Sequence, residues 1–204
     1  MSPTTSTLAR ESVGCNRLIE ALDQAVAGQT DFETITCRVR DALVRLINEE
    51  GIELPEELRR PAPDSYARRL IHSDPELGYT ALSMVWGPGQ ATPVHDHAGL
   101  WCVEGVIQGR IEVTQYRLVE SRGTRMRFEP QEPDVAGVGS AGRLIPPYDY
   151  HTIGNALPDR PSVTIHIYGG EMDHCKTFHP AEDAGEAEDG WYETVPRSLS
   201  LTGS

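Results

Sequence analysis

The sequence has few cysteines, a shortage of basic residues and no apolar run at its N-terminus. Its four cysteines are scattered without a Cys-x-x-Cys pair, so neither a disulfide framework nor a zinc staple is expected. The 18 lysines and arginines are outnumbered by 31 acidic residues, and the formal net charge is −13. Binding to phosphate needs clustered basic side chains, so nucleic acid and anionic membranes are disfavoured as partners. A small-molecule partner is favoured instead.

The start of the chain, Met1-Ser-Pro-Thr-Thr5, lacks the basic segment and apolar core of a secretion signal. Together with the scattered cysteines, this predicts a reduced, cytoplasmic protein. A chain of 204 residues is long enough for one domain with its own core. We expect residues 1–60 to form an N-terminal helical segment that packs on a barrel made by residues 61–204. The sequence gives no indication of the oligomeric state.

Apolar residues recur at helical spacing in the N-terminal quarter of the chain. Leu22 and Val26 belong to one such stripe, which predicts a first helix. Thr30 and Glu33 have the spacing of a capping box, so we expect a second helix to begin there and to end at Gly51. These helices are interpreted as a cap that packs against a sheet, and no chemistry is assigned to them.

After Pro61, short runs rich in Val, Ile, Leu and Tyr alternate with Gly and Pro turns. This pattern predicts an antiparallel sandwich or barrel of seven or more strands. The predicted strands cover residues 79–86, 100–108, 110–117, 125–128, 143–145, 151–155 and 163–168. The acidic stretch 181–190 is interpreted as a solvated loop, beyond which Trp191 and Tyr192 anchor the tail.

Metal-ligand chemistry is concentrated around His95 and His97. Alternate residues of an extended strand face the same side, so both imidazoles can reach one ion while Asp96 points away. Two ligands hold a metal weakly, and His151 is the best candidate for a third. Three other histidines are interpreted as ordinary polar side chains that find hydrogen-bond partners: His72, His174 and His179.

These residues carry a family resemblance. The segment from Gly89 to Gly109 resembles the first cupin motif, with Cys102 in place of the usual glutamate ligand, and His151-x3-Asn155 resembles the end of the second. The closer resemblance is to the cysteine dioxygenase family of thiol dioxygenases and covers roughly residues 60–180. It is carried by Trp86-Gly-Pro-Gly-Gln90, His95-Asp-His97, Gln108-Gly109 and Thr164-Ile-His166-Ile-Tyr168.

The resemblance implies a mainly β fold, a cupin-type antiparallel jelly-roll barrel with an N-terminal helical cap. It also implies one iron(II) ion per chain, held by His95, His97 and His151. The implied reaction adds both atoms of dioxygen to a small thiol carboxylate and gives a sulfinate, as in cysteine catabolism. L-cysteine is the expected substrate, and 3-mercaptopropionate or another thiol carboxylate is the alternative.

The three histidines alone leave other interpretations of the metal open. Three neutral imidazoles leave the full divalent charge on the metal, which favours a bound thiolate. The same ligand set also suits catalytic zinc. A zinc hydrolase is disfavoured because no general base is evident near His95 on its strand. A non-catalytic cupin that binds a small ligand is the alternative from a different functional class.

Thr164, His166 and Tyr168 are spaced two apart and share one face of a strand. They resemble the Ser-His-Tyr relay of the family, with threonine keeping the hydroxyl, and the resemblance implies that Tyr168 hydrogen-bonds the substrate or oxygen. A plain core cluster is the alternative interpretation. Cys102 matches the cysteine that forms a thioether to the tyrosine in animal enzymes, although a buried small apolar residue is the preferred interpretation.

Arg68 matches the family position that holds the substrate carboxylate, and bacterial 3-mercaptopropionate dioxygenases carry glutamine there. Arg69 would take this role if the alignment gap lay one residue later, and a surface arginine is the competing interpretation. The segments 86–90 and 98–105 are closer to the bacterial mercaptopropionate group, so the two indications conflict. A guanidinium can grip a carboxylate with two parallel hydrogen bonds, which a glutamine amide cannot match.

Overall fold

The computed structural model of the chain describes residues 3–181 and 190–202, so most of the predicted acidic loop lies outside the described residues. The helices are α1 (Thr7–Arg10), α2 (Val13–Val26) and α3 (Phe32–Arg45), followed by a π-helical turn (Leu46–Glu50) and a 3₁₀ turn (Glu56–Arg59). The strands are β1 (Thr4–Thr5), β2 (Ala67–Asp74), β3 (Tyr79–Trp86), β4 (Val94–His95), β5 (Cys102–Gln108), β6 (Arg110–Arg122), β7 (Arg125–Pro130), β8 (Asp134–Gly137), β9 (Ala141–Leu144), β10 (His151–Asn155), β11 (Ser162–Tyr168), β12 (His174–Pro180) and β13 (Trp191–Ser198).

The start of α3 corrects the predicted capping box by one residue. The N-cap is Asp31, not Thr30, because the Asp31 carboxylate accepts both the backbone N–H of Thr34 at 2.8 Å and its hydroxyl at 2.7 Å. At the other end, Gly51 follows the π-helical turn in the left-handed conformation with φ 67°, where glycine is expected.

The strands form two antiparallel sheets. The first has the order β1-β2-β3-β11-β5-β9, and the second has the order β10-β4-β12-β13-β7-β6-β8 with a further pairing of β10 with β6. The helices contribute Leu22, Val39 and Leu43 to a buried cluster that includes Val103 and Ile165 of the first sheet. The mainly β, cupin-type fold with an N-terminal helical cap is therefore confirmed.

Strand β11 serves both the core and the interior between the sheets, because its side chains alternate. Ile165 and Ile167 belong to the cluster that contains the helices. Thr164, His166 and Tyr168 alternate with them and are also buried, at no more than 4% exposure. The hydrophobic contacts of one face therefore fix the three polar side chains of the other.

The longest of the strands that the sequence pattern missed are β2, β12 and β13. Each carries charged or polar residues at several positions, as in Ala-Arg-Arg-Leu-Ile-His-Ser-Asp of β2, so the apolar alternation is weak. Trp191 and Tyr192 begin β13 and do not merely anchor a tail. Among the described helices, none combines the length and the apolar character needed to cross a membrane.

The turn between β5 and β6 supplies a stability prediction. Gly109 has φ +79°, and a Cβ at this position would lie 2.9 Å from the Cα of Ser162. Gly123 has a similar φ of +62° with nothing within 4 Å of a Cβ. We expect Gly123→Ala to lower the free energy of unfolding by about 1–2 kcal/mol through backbone strain alone. Gly109→Ala should cost about 1–3 kcal/mol more, because overpacking adds to the strain.

Urea unfolding of both variants checks this prediction. Equal losses would mean that Ser162 moves aside at no cost and would contradict the close packing of this turn.

Candidate metal centre and active site

His95, His97 and His151 converge between the two sheets. One ring nitrogen of each lies within 4.8 Å of those of the other two. The ring centroids are 5.2 Å apart for His95 and His97, 4.4 Å for His95 and His151, and 5.1 Å for His97 and His151. The three histidines that the sequence singled out therefore lie together in the fold.

Strand pairing positions two of the three histidines, and a carboxylate positions the third. His151 on β10 pairs directly with His95 on β4. His97 follows the end of β4, so the extended-strand argument holds only up to His95. The backbone N–H of His97 donates to Asp149 at 3.0 Å, and this bond orients the residue. Asp96 points away as expected, and its carboxylate accepts the N–H of Lys176 at 2.8 Å.

In His95 and His151, a backbone carbonyl oxygen holds ring nitrogen Nδ1, an arrangement that is typical of metal-binding histidines. His95 Nδ1 lies 3.2 Å from the carbonyl oxygen of Pro93, and His151 Nδ1 lies 3.0 Å from that of Asp149. These bonds leave Nε2 of both residues as the available ligand atom. Both ring nitrogens of His97 are buried without a hydrogen-bond partner, and Nε2 of His151 makes no hydrogen bond, although it lies 3.4 Å from Oε1 of Glu104. Unpartnered buried nitrogens are costly, and a divalent cation would satisfy them.

Burial and the neighbouring imidazoles hold the pKa of His95 well below its ordinary value, and burial lowers the pKa of His97. Both rings are therefore neutral near pH 7, the form that binds metals. His151 differs, because the carboxylate of Glu104 raises its pKa against the opposing effect of burial.

Thr164, His166 and Tyr168 form a connected chain of hydrogen bonds. Trp86 Nε1–H donates to the Thr164 hydroxyl at 2.9 Å. The Thr164 hydroxyl lies 2.8 Å from His166 Nε2, and His166 Nδ1 lies 3.2 Å from the Tyr168 hydroxyl. The ring of Tyr168 is 5.7 Å from that of His97, so the relay ends beside the three histidines. Trp86, the first residue of the family segment Trp86-Gly-Pro-Gly-Gln90, therefore has a specific partner in the relay.

Glu104 is the residue that sequence reasoning missed. Its Oε1 lies 3.1 Å from His166 Nδ1 and 3.4 Å from His151 Nε2, and it is 8% exposed. Burial opposes ionisation, but His166 and His151 hold the pKa of Glu104 well below its ordinary value. A carboxylate that the sequence analysis did not identify therefore lies beside the three histidines. It belongs to β5 and not to the strand of His95.

A register argument could have found Glu104. It stands two residues after Cys102 on β5 and pairs with His166, while Cys102 pairs with Tyr168. The two residues of β5 therefore face the same side as the relay. Glu104 also fixes the tautomer of His166. An ionised carboxylate only accepts hydrogen bonds, so Nδ1 carries the proton and Nε2 accepts from Thr164.

Cys102 is buried and free, in register with Tyr168. Its thiol lies 3.9 Å from Glu104 Oε1, and burial together with this carboxylate raises its pKa well above the ordinary value. The sulfur is therefore protonated near pH 7.

A narrow cavity beside the histidines carries two arginines. Arg68 and Arg197 line it together with His95 and Tyr168. Arg69 is not among its lining residues, so of the two adjacent arginines Arg68 faces the site. Arg68 is 6% exposed, and its guanidinium donates to the carbonyl oxygens of Met172 at 2.8 Å and Ser200 at 3.4 Å. Arg197 is exposed and was not considered from the sequence.

A second, larger cavity of about 460 Å³ reaches the site from another side. Its wall includes Glu104 and Thr164 of the site and the acidic residues Glu132 and Asp134, with Arg143 as its only arginine among the described residues. Acidic side chains predominate in the wall of the larger cavity, whereas the narrow cavity carries Arg68 and Arg197. The narrow cavity therefore suits an anionic substrate better.

The remaining histidines lie elsewhere. His174 is exposed and pairs with Asp173 at 2.5 Å, and His179 lies 3.0 Å from the hydroxyl of Thr177. Both therefore have partners, in line with their interpretation as ordinary polar residues. His72 is different, because its Nε2 is buried without a hydrogen-bond partner.

Residues 57–181 match the family model described as cysteine dioxygenase type I. The chain belongs to this family. Curated cysteine dioxygenase type 1 proteins of Danio rerio and Homo sapiens are 22% and 23% identical over 113 and 114 residues. Each match covers 55% of this chain and 55% of the relative, so the chain spans about half the length of the curated relatives it matches.

Two solved structures are similar over a comparable part of the chain. The protein TT1209 from Thermus thermophilus has a TM-score of 0.41 and 21% identity, covering 55% of this chain and 90% of that protein. The cupin domain of Cnp3 from Schizosaccharomyces pombe has a TM-score of 0.43 and 12% identity, covering 59% of this chain and 74% of that domain.

The geometry predicts the effect of removing one histidine. His151→Ala removes one of three imidazole donors, so the divalent metal taken up on loading should fall by one equivalent per chain. His174→Ala is the matched control, because its exposed ring lies outside the cluster. Metal analysis after desalting measures both. Full metal retention in His151→Ala would remove this residue from the ligand set.

Proposed function

We propose that the chain is an iron(II)-dependent thiol dioxygenase acting on a small thiol carboxylate. The observation that carries the proposal is the convergence of His95, His97 and His151 beside the relay of Thr164, His166 and Tyr168 in a member of the cysteine dioxygenase family. The reaction takes R–SH and O2 to R–SO2H. All atoms are conserved, and the sulfur is oxidised while both oxygen atoms are reduced.

The donor set supports a divalent metal, and the family supports iron. The three converging imidazoles, with neutral rings at His95 and His97, suit Fe(II) or zinc equally. A ferrous ion bound there would supply the redox chemistry with dioxygen and would favour the thiolate form of the substrate. One such ion per chain would be held by the three histidines.

The residues of the chain orient a donor toward the reacting atoms. Glu104 keeps the proton of His166 on Nδ1, and this one N–H is shared between Glu104 at 3.1 Å and the Tyr168 oxygen at 3.2 Å. Because the Tyr168 oxygen accepts from this shared N–H, the phenol hydrogen is left to donate into the cavity. Tyr168 lines this cavity with His95. The phenol is held in its protonated form, because burial raises its pKa well above the ordinary value. Tyr168 therefore acts as a fixed hydrogen-bond donor.

The cavity selects for an anionic end group. Arg68 keeps further N–H donors beyond the two that contact backbone carbonyls, and a guanidinium can hold a carboxylate with two of them. Apolar side chains complete the wall near the histidines, including Trp86, Ile153 and Met172. They limit the water around the thiol and strengthen the charge interactions inside.

L-cysteine is the substrate that the matching position of Arg68 favours. A specific observation favours 3-mercaptopropionate as a second candidate: among the described residues, the cavity that holds Arg68 and Arg197 has no aspartate or glutamate in its wall. The ammonium group of cysteine would meet two guanidinium groups and no carboxylate there. A thiol carboxylate without an amine avoids this repulsion.

A panel of L-cysteine, 3-mercaptopropionate and cysteamine tests the proposal. Iron-loaded protein should consume oxygen and form sulfinate with at least one thiol carboxylate, and the ratio of their kcat/KM values ranks the two candidates. A non-catalytic cupin would consume no oxygen with any of the thiols, and this result would overturn the proposal.

Tyr168→Phe tests the hydrogen-bond donor. The ring keeps its packing, so iron binding should be unchanged, whereas kcat should fall about 10²-fold, as for other single donors at a reacting centre. Iron content and oxygen uptake are measured on the same preparation. Wild-type kinetics in this variant would mean that Tyr168 is an ordinary core residue without a role in the reaction.

Arg68→Gln tests the carboxylate contact. Losing a charge-assisted bond should raise KM for the preferred thiol carboxylate about 10-fold or more. Oxidation of cysteamine, which has no carboxylate, should hardly change. Arg69→Gln is the matched control on the other face of β2 and should leave both constants unchanged. An equal effect of Arg68→Gln on the thiol carboxylate and on cysteamine would mean that Arg68 supports the structure of the site and does not bind the carboxylate.

A further inference from the structure

A second group of metal-binding side chains lies between the N-terminal helices and the first sheet. Asp23 belongs to α2, and His72 and Asp74 belong to β2. One ligand atom of each lies within 4.8 Å of the other two. A register shift in β2 between Leu70 and His72 marks a bulge, a feature that redirects side chains.

Each member of this group is held through one of its polar atoms. The Tyr79 hydroxyl donates to Asp23 Oδ1 at 2.6 Å. Two successive backbone N–H groups, after the end of β2, donate to Asp74 Oδ1 at 2.8 and 2.9 Å. The Thr5 hydroxyl lies 2.7 Å from His72 Nδ1. In known metal sites such outer contacts orient the ligands and set the histidine tautomer.

The atoms that remain lack partners. His72 is 4% exposed, and its Nε2 is buried with no hydrogen-bond partner. Within residues 3–181 and 190–202, no hydrogen bond is made by Oδ2 of Asp23 or Oδ2 of Asp74, and neither carboxylate forms a salt bridge with an arginine or lysine. Two acidic groups beside a buried imidazole therefore have no opposing charge, an arrangement that a cation would stabilise.

We propose that Asp23, His72 and Asp74 bind a divalent transition-metal ion, with Zn²⁺ as the occupant. An imidazole with two carboxylates suits zinc, whereas magnesium and calcium prefer all-oxygen ligand sets. Three protein ligands leave room for a water. The ion would tie α2 and, through Thr5, β1 to strand β2.

The site is separate from the three histidines and does not depend on the proposed activity. Its test uses full-length protein that carries His97→Ala and His151→Ala, so that the other centre no longer competes for metal. Metal-free protein is titrated with Zn²⁺ by calorimetry, and its unfolding temperature is measured with and without Zn²⁺. We expect one equivalent to bind and the unfolding temperature to rise.

Asp23→Asn removes a ligand charge but keeps an oxygen that can accept from Tyr79, so the metal-free fold should be retained. In the same background this variant should lose the equivalent of Zn²⁺ and the rise in unfolding temperature, as should His72→Gln. Glu20→Gln is the matched control, since this exposed carboxylate lies on the same helix one turn earlier. Absence of Zn²⁺ binding in the background protein, or full binding in both Asp23→Asn and His72→Gln, would overturn the proposal.

Discussion

The structure depends most on the pairing of β4 with β10, which sets His95 directly opposite His151. This pairing brings imidazoles from distant parts of the chain together in a buried space, where uncompensated nitrogens are expensive. Asp149 adds the third ring by accepting the backbone N–H of His97. A bound cation is the natural compensation for such an arrangement. The same rings without a metal would leave the interior of the sandwich with unmet polar groups.

The first sheet supplies the other half of the site from strand β11, whose alternate residues build the core. Ile165 and Ile167 pack against the helical cap, so the register of β11 cannot slip by one residue without burying its polar face against the helices. Fixing that register fixes His166 between Thr164 and Tyr168. Stability and function are therefore linked along one strand. The helices carry no chemistry in the proposed oxidation, but they hold the relay in place.

The spacing of the motifs predicted more of the site than the apolar pattern predicted of the fold. His95, His97 and His151 stood out because few residue types bind metals and their spacing matched a known pattern. Glu104 was missed because a single glutamate in an apolar strand has no such pattern, and only its pairing opposite His166 reveals it. Strand β2 was missed because its polar residues face an interior of mixed character, with Arg68 on the cavity and His72 close to Asp23 of α2. Arg197 lies near the end of the chain, far in sequence from every motif.

The proposed reaction transfers both atoms of one dioxygen molecule to the thiol sulfur, and it would require the metal that His95, His97 and His151 would hold. Oxidation of the preferred thiol under oxygen-18 gas, followed by mass spectrometry of the product, tests it most directly. The account predicts a sulfinate with two labelled oxygen atoms, formed by iron-loaded protein and not by metal-free protein. A product labelled at one oxygen only, or with oxygen taken from water, would contradict it.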